Sequence, residues 1–405
     1  MMKRVLIFSL AYYPRFVGGA EVAIKEITDR VPPEEIEFHM VTLRFDSTLP
    51  RHSKEGNVFV HRVGFGRRGA SVASTHHPLV YIDKILFVPL AALAALRLHL
   101  QQHFDAWWAM MSYMVFPIAL LRIIGVRLPY VLTLEEGDPF EYVYGRSHIR
   151  LFTPLLQWGF RHASVIHAES TFLGSWAREW GFQGPLEVIP NGMDAERFKQ
   201  VPKPDLLEGV RTKIGKKEGE TWFIHTGRLV HKNALDVVIR ALPFLPEQVH
   251  IFMLGDGPDK STLSNLADKL SVSSRVHFHA YVPLEEVPTY LKVCDIFIRP
   301  SRSEGMGNSF IEAMAAGLPV IGTQEGGIAD FLFDAKRNPD KETTGWAVDT
   351  NSPEQIAVAV KEILSDSAQT ARVTTVAKKL VFENYDWNRI ARKMKELFAR
   401  VFESK

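Results

Sequence analysis

Short, β-branched apolar runs alternate with helix-length amphipathic stretches along nearly the whole chain, and this alternation constrains the fold more than any other feature. Strand-length runs fall at Val5–Leu10, Phe38–Leu43, Val58–Val63, Ala106–Met110, Tyr130–Leu134 and Ser164–Ala168. Helical patterns between them cover Ala20–Arg30, Ile85–Gln102, Tyr113–Ile124 and Arg150–His162. Strands alternating with helices predict parallel sheets covered on both faces. The pattern breaks at Val188-Ile189-Pro190-Asn191-Gly192-Met193-Asp194, a turn sequence, and the polar stretch to Glu220 reads as a linker. A second series follows, with strands at Trp222–Thr226, His250–Leu254, Val276–His279, Ile296–Ile298 and Pro319–Gly322. With 405 residues, one core is too few, because single cores rarely exceed about 250–300 residues. The expectation is an α/β chain of two Rossmann-like, doubly wound domains facing across a cleft. Residues 1–187 form the first and 188–387 the second. The closing helix, 388–405, has apolar Ile390, Met394, Leu397 and Val401 at helical spacing and is expected to pack back on the first domain.

Composition excludes more than it assigns. A formal net charge of +2 lacks the basic excess of a dedicated nucleic-acid binder. The single cysteine, Cys294, cannot form an internal disulfide, which fits a reducing cytoplasm. It sits in the apolar run Val293–Ile298 and reads as a small buried hydrophobe. Lys3 and Arg4 precede a strand-length run that reads as a strand and not as a leader. The longest apolar stretch, Ile85–Leu96, is interrupted by Pro89 and falls short of the roughly 20 residues of a membrane span.

Four constellations carry chemistry. In the run from Pro300 to Val320, Gly305 and Gly307 make a tight loop after the Ile296–Ile298 strand, and a helix from Asn308 to Ala316 follows. Glu304 then lies at a strand's carboxyl end, and Glu312 lies inside the helix. That crevice is where open α/β sheets bind ligands, and a helix amino terminus suits a phosphate. Secondly, Thr226-Gly227-Arg228-Leu229-Val230-His231-Lys232-Asn233 follows a strand, so Arg228 and Lys232 place two cations where a diphosphate can be held. Thirdly, Gly18-Gly19 lies between the first strand and the first helix, where backbone N–H groups can approach a ligand closely. Fourthly, Gly326-Gly327 occupies the same kind of junction in the second half, or is a simple turn. Neither half carries a dinucleotide fingerprint; Gly255-Asp256-Gly257-Pro258 has proline where the helix should open.

In this order, Gly18-Gly19-Ala20-Glu21, Val188–Asp194, Gly227-Arg228-Leu229 with Lys232, Gly255–Pro258, Glu304–Val320 and Gly326-Gly327 resemble the family-four, or group 1, retaining glycosyltransferases of the GT-B fold. The resemblance runs nearly end to end. It implies that Arg228 and Lys232 hold the diphosphate of a nucleotide sugar, and that Glu312 holds its ribose. Glu304 would take a donor-sugar hydroxyl, with the backbone of Gly305, Met306, Gly307, Asn308 and Ser309 against sugar and phosphate. Gly18 and Gly19 would lie near the donor phosphate or the acceptor. The implied donor is UDP- or GDP-linked, the acceptor a glycan, a lipid-linked or a small molecule, and no cofactor is needed. No D-x-D motif is present, so metal-independent chemistry is expected.

Two departures stand out. Asn233 replaces the family's usual glycine after the lysine; asparagine tolerates left-handed backbone, so little change is expected. Glu135, after Tyr130–Leu134, stands where many relatives carry a histidine that helps place the donor sugar. It is expected to read a sugar or acceptor group, with Asp138 nearby. The alternatives are a nucleotide-sugar epimerase on the same fold and a non-catalytic nucleotide-sugar-binding protein. His225, His231, His277 and His279 lie on or beside second-half strands and read as structural. Between Asn57 and Phe104 stand Arg62, Arg67, Arg68, Lys84 and Arg97 against Asp83 alone, with five histidines including His76 and His77. An apolar helix with such flanks either lies on an anionic membrane or is a core helix with solvated ends. The expected location is cytoplasmic, possible peripheral contact with the inner face of the membrane included.

Overall fold

The computed structural model describes residues 2–70 and 78–403. His76 and His77 lie outside them. The chain forms two compact units, Met1–Asn191 with Trp387–Lys405, and Gly192–Asp386.

The first unit is built on an eight-stranded sheet. Its strands are β1 (Lys3–Phe8), β2 (Ile36–Leu43), β3 (His52–Glu55), β4 (Val58–Val63), β5 (Ala106–Met110), β6 (Tyr130–Leu134), β7 (Val165–Ala168) and β8 (Leu186–Val188), in the order β3-β4-β2-β1-β5-β6-β7-β8. Every pairing is parallel except β3 with β4. β3, His-Ser-Lys-Glu, carries no apolar alternation and is an exposed edge strand, which is why periodicity does not reveal it. Helices α1 (Gly19–Thr28), α2 (Pro78–Gln102) and α3 (Val115–Ile123) cover the sheet with the Thr153–Arg161 helix. α2, α3 and the Thr153 helix share one core with Phe8, Leu132 and Ile166. α1 and the closing helix, Trp387–Glu403, share the opposite core with Ile7, Phe38 and Trp108. The Phe398 and Trp108 rings meet edge to face with centroids 5.2 Å apart, and Arg400 pairs with Glu187 at 2.7 Å.

The second unit holds a six-stranded, wholly parallel sheet. Its strands are β9 (Thr221–Thr226), β10 (Val249–Leu254), β11 (Val276–His279), β12 (Ile296–Arg299), β13 (Val320–Gly322) and β14 (Trp346–Ala347), ordered β11-β10-β9-β12-β13-β14.

Two expectations are corrected. The stretch after Asp194 is not a linker. It forms the Ala195–Lys199 and Pro204–Ile214 helices, whose Phe198, Val210 and Ile214 enter the second unit's core. Its few apolar residues are spaced to reach that core, while its lysines stay outside. Pro89 does not end the apolar stretch either, since α2 runs straight through it. Pro89 lies on the exposed side of the helix, where the carbonyl left without its N–H partner is not shut into the core.

Candidate active site

The second unit's sheet reverses its winding between β9 and β12, the topological switch point where open α/β sheets bind ligands. The Gly227–Asn233 loop leaves the carboxyl end of β9, and the Ser301–Gly307 loop leaves that of β12. These two loops carry Arg228, Lys232 and Glu304.

The loops are fastened together by side chains. Arg302 makes a bidentate pair with Asp236 at 2.9 and 2.8 Å and donates to the His231 carbonyl at 2.7 Å. The Arg302 N–H donates to the Lys232 carbonyl at 2.7 Å. Arg299, buried at the end of β12, binds the Glu304 carboxylate through one guanidinium nitrogen and Ser309 Oγ through another at 2.7 Å. The Lys232 ammonium stands 4.0 Å from the other Glu304 oxygen. Thr323 donates to the Ser301 carbonyl at 2.6 Å, and the Gly327 N–H donates to the Glu304 carbonyl at 3.2 Å. The Gly326-Gly327 turn therefore buttresses the Glu304 loop. Gly307 has φ +100°, and a Cβ there would stand 3.0 Å from Phe310, so glycine suits this entry to the helix. Gly255 packs directly on the Arg228 loop: a Cβ on it would meet the Gly227 carbonyl oxygen at 2.0 Å.

Arg228 is exposed, Lys232 half-buried and Glu304 buried. The Met306 side chain belongs to the core, leaving only its backbone at the loop. Glu312 is partly accessible, yet burial lifts its carboxyl to about 7 against the opposing pull of Arg197 and Arg299. The left-handed residue beside Lys232 is Ala234, at φ +55°, and not Asn233. Asn233 instead closes the loop by donating to the Arg228 carbonyl at 2.7 Å, which corrects the expectation about its role. His225 is fully buried, and neither ring nitrogen has a hydrogen-bond partner among the described residues. Burial, with Arg299 beside it, pushes it down to about 3, so the ring is neutral.

Gly18, Gly19 and Glu135 belong to the first unit. Gly18 caps α1, and its N–H donates to Glu21 at 2.8 Å. Gly19 has open space around it. Glu135 follows β6 and is buried, with its Oε1 lacking a partner among the described residues. Burial and the charge of Glu21 lift it to about 8, so it is largely protonated at neutral pH. Glu136 is raised by burial too, and its carboxylate accepts the Ser112 N–H at 2.7 Å and the Glu135 N–H at 3.0 Å. Glu169 accepts from Asn191 at 2.8 Å. Asp138 is exposed.

Sequence reasoning missed Arg299, Arg302 and Asp236. A charged residue ending the apolar run Ile296-Phe297-Ile298 is a signal for Arg299. Nothing local marks Arg302 and Asp236, which are 66 residues apart.

Two family models match most of the chain between them. The glycosyl transferase 4-like domain matches residues 18–192, and the glycosyl transferases group 1 model matches residues 208–380. The chain belongs to the group 1 glycosyltransferases. The chain is 30% identical over 248 residues to a GDP-mannose-dependent phosphatidylinositol monomannoside mannosyltransferase of Mycolicibacterium smegmatis, covering 58% of this chain and 62% of that protein. It is 28% identical to an uncharacterized glycosyltransferase of Methanocaldococcus jannaschii, with 99% of each chain covered. Among solved structures it resembles sucrose-phosphate synthase from Thermosynechococcus elongatus, with TM-score 0.83, 18% identity and all of both chains covered. It also resembles Anabaena HepE in complex with UDP and glucose, with TM-score 0.76, 19% identity and 98% and 100% coverage. The chain thus has the GT-B fold.

Proposed function

We propose that this protein moves a sugar from a nucleotide-diphosphate sugar to a glycan, lipid-linked or small-molecule acceptor, with retained anomeric configuration and without a metal or other cofactor. The observation that carries the reading is the pair of interlocked loops at the β9/β12 switch point, which present Arg228, Lys232, Glu304 and the start of the Asn308 helix together. Two protein cations and a helix amino terminus supply the charge a departing diphosphate needs. Arg299 holds one Glu304 oxygen, and the Lys232 ammonium stands 4.0 Å from the other. That oxygen is open to a donor-sugar hydroxyl. Glu312 takes the ribose, and the Gly305–Ser309 backbone lies against sugar and phosphate.

In the reaction, the bond from the anomeric carbon to the phosphate oxygen breaks as the bond to the acceptor oxygen forms on the same face. The acceptor proton passes to the leaving phosphate oxygen. No protein nucleophile is assigned. Glu135 in the first unit, largely protonated, donates or accepts a hydrogen bond with a sugar or acceptor hydroxyl. The donor is a UDP- or GDP-linked hexose, the two nucleotides that accompany the relatives and neighbours named above. Gly18 and Gly19 serve the donor phosphate or acceptor.

The test is a panel of nucleotide sugars, including UDP-glucose and GDP-mannose, read by thermal stabilisation and by turnover. At about a hundred times its Kd, the true donor adds about 2.7 kcal/mol of stability. Stabilisation by none of the panel overturns the reading. An inverted product ends the retaining mechanism. Turnover lost in chelator and restored by magnesium ends metal independence. Isomerised donor without transfer establishes the epimerase instead.

A further inference from the structure

Helix α2 is apolar on both of its faces, and among the described residues only one face is covered. Val80, Phe87, Ala91 and Ala95, at helical spacing, are buried against the sheet. A helix in this position ordinarily turns charged and polar residues outward. Here the outward face carries Ile82, Ile85, Leu86, Leu93 and Leu100, which are 47%, 58%, 40%, 62% and 68% exposed. By length and composition Leu79–Gln102 would suffice to cross a membrane, yet only 28% of its most apolar window is buried. The apolar surface continues beyond α2. The α3 helix packs between α2 and the Thr153 helix; at its end Ile123 is 77% exposed. Just before the Thr153 helix, Leu151 is 78% exposed, and Phe152 meets Phe116 of α3 at 5.9 Å. Monomeric soluble proteins rarely leave large apolar patches uncovered.

The charge on these helices is mostly of one sign. Residues 84–104, 115–129 and 142–162, which hold these helices, contain Lys84, Arg97, Arg122, Arg127, Arg146, Arg150 and Arg161 and no acid. Asp83, just before, is engaged by Arg67 at 3.2 Å. Arg97, Arg127 and Arg150 have no carboxylate partner among the described residues.

We infer that the outer face of α2, α3 and the start of the Thr153 helix docks the first unit onto an anionic lipid bilayer. The inner face of α2 is committed to the sheet, so the helix lies in the plane of the headgroups and does not span. Its aliphatic side chains enter the acyl boundary, and the arginines meet the phosphates. Charge complementarity selects this occupant over a second copy of the chain. A twofold contact sets the same patch against itself, and here that would oppose cations to cations.

Flotation of the purified full chain with extruded vesicles tests the inference and needs no turnover, so it stands apart from the assignment of the reaction. The vesicles are pure phosphatidylcholine, or phosphatidylcholine with about one-third phosphatidylglycerol. At low salt the protein floats with the anionic vesicles. Raising the salt from about 0.01 to 0.15 M, which shortens the Debye length from about 30 to 8 Å, weakens binding. The doubly substituted Ile85→Glu, Leu93→Glu protein loses at least about tenfold in partitioning. Both side chains are exposed, so its melting temperature stays near that of the wild type. Arg97→Gln with Arg127→Gln costs about fivefold per charge on anionic vesicles only. Wild type left at the bottom, or the glutamate variant floating as well as wild type, overturns the inference. So does a concentration-dependent dimer that the glutamate variant dissolves and that excludes vesicles, which would assign the face to a second copy.

Discussion

The two units end their sheets in opposite electrostatic states. In the second unit, the carboxylate at the switch point is compensated: Glu304 is held by Arg299 and approached by Lys232, with Arg228 exposed beside them. In the first unit, Glu135 and Glu136 are buried at the end of β6, Glu21 adds a further charge to Glu135, and burial raises both. The same strand–loop–helix architecture therefore makes one end suited to an anion and the other to a neutral, hydroxyl-bearing group. A carboxyl buried without a cation is pushed toward its neutral form. A paired one keeps its charge and orients what surrounds it.

The substitution expected to do most is Arg299→Ala. It removes the partner of a buried carboxylate, a loss of about 3–5 kcal/mol, or roughly 6–20 °C in the melting temperature of a unit of this size. Activity goes with it. A melting temperature within two or so degrees of wild type would show that Glu304 does not depend on Arg299, and the contrast between the units would shrink.

Arg228→Ala comes next. Its side chain is exposed, so the fold stays intact while kcat/KM for the donor falls roughly ten- to a hundredfold, the worth of a charge-assisted hydrogen bond. Glu312→Ala should behave likewise. Wild-type kinetics in the Arg228 protein would remove the second unit's claim to the diphosphate, and in the Glu312 protein its claim to the ribose.

Glu135→Ala sharpens the contrast from the other side. Transfer should fall about tenfold, while the affinity for the bare nucleotide diphosphate, measured calorimetrically, stays unchanged. Equal losses in both measurements would make Glu135 a structural residue.

The last expected effect is one of pH. Glu135 has a folded-state value near 8, above its ordinary 4.5. Its contribution to stability is thus fully present below about pH 4.5 and is lost as pH rises through about 8. Glu135→Gln removes that loss. The melting temperature of the variant relative to wild type should therefore climb between pH 5 and 9, by an amount of the same order as the Arg299→Ala loss. A difference that is flat with pH would mean that Glu135 ionises as an ordinary carboxylate.

Much of this molecule is legible in its residues, because periodicity reports local burial. Ile296-Phe297-Ile298 marks β12, and the Asn308–Ala316 helix begins after Gly307 and ends at Gly317, where φ is positive and glycine is at home. The order of glycine loops and cations after those strands likewise follows from the chain alone. What periodicity cannot show is how a polar stretch uses its few apolar residues. Phe198 and Val210 bind the supposed linker into a core that is assembled from distant strands. Nor can it show that the stripe of α2 from Ile82 to Leu100 would be left uncovered, since that depends on which face the sheet takes.

The sequence by itself determined the two α/β series, the strands from which the loops leave, and the residue types on those loops. Only the tertiary structure decided that Arg302 reaches back to Asp236, that Arg299 turns onto Glu304, that Asn233 caps the Arg228 carbonyl while Ala234 takes the left-handed turn, and that Glu135 is buried beside Glu21. The reason is physical. Strand and helix patterns arise from side chains within a few residues of one another. The charge state of a carboxyl depends on which side chains, far apart in the chain, close around it and exclude water.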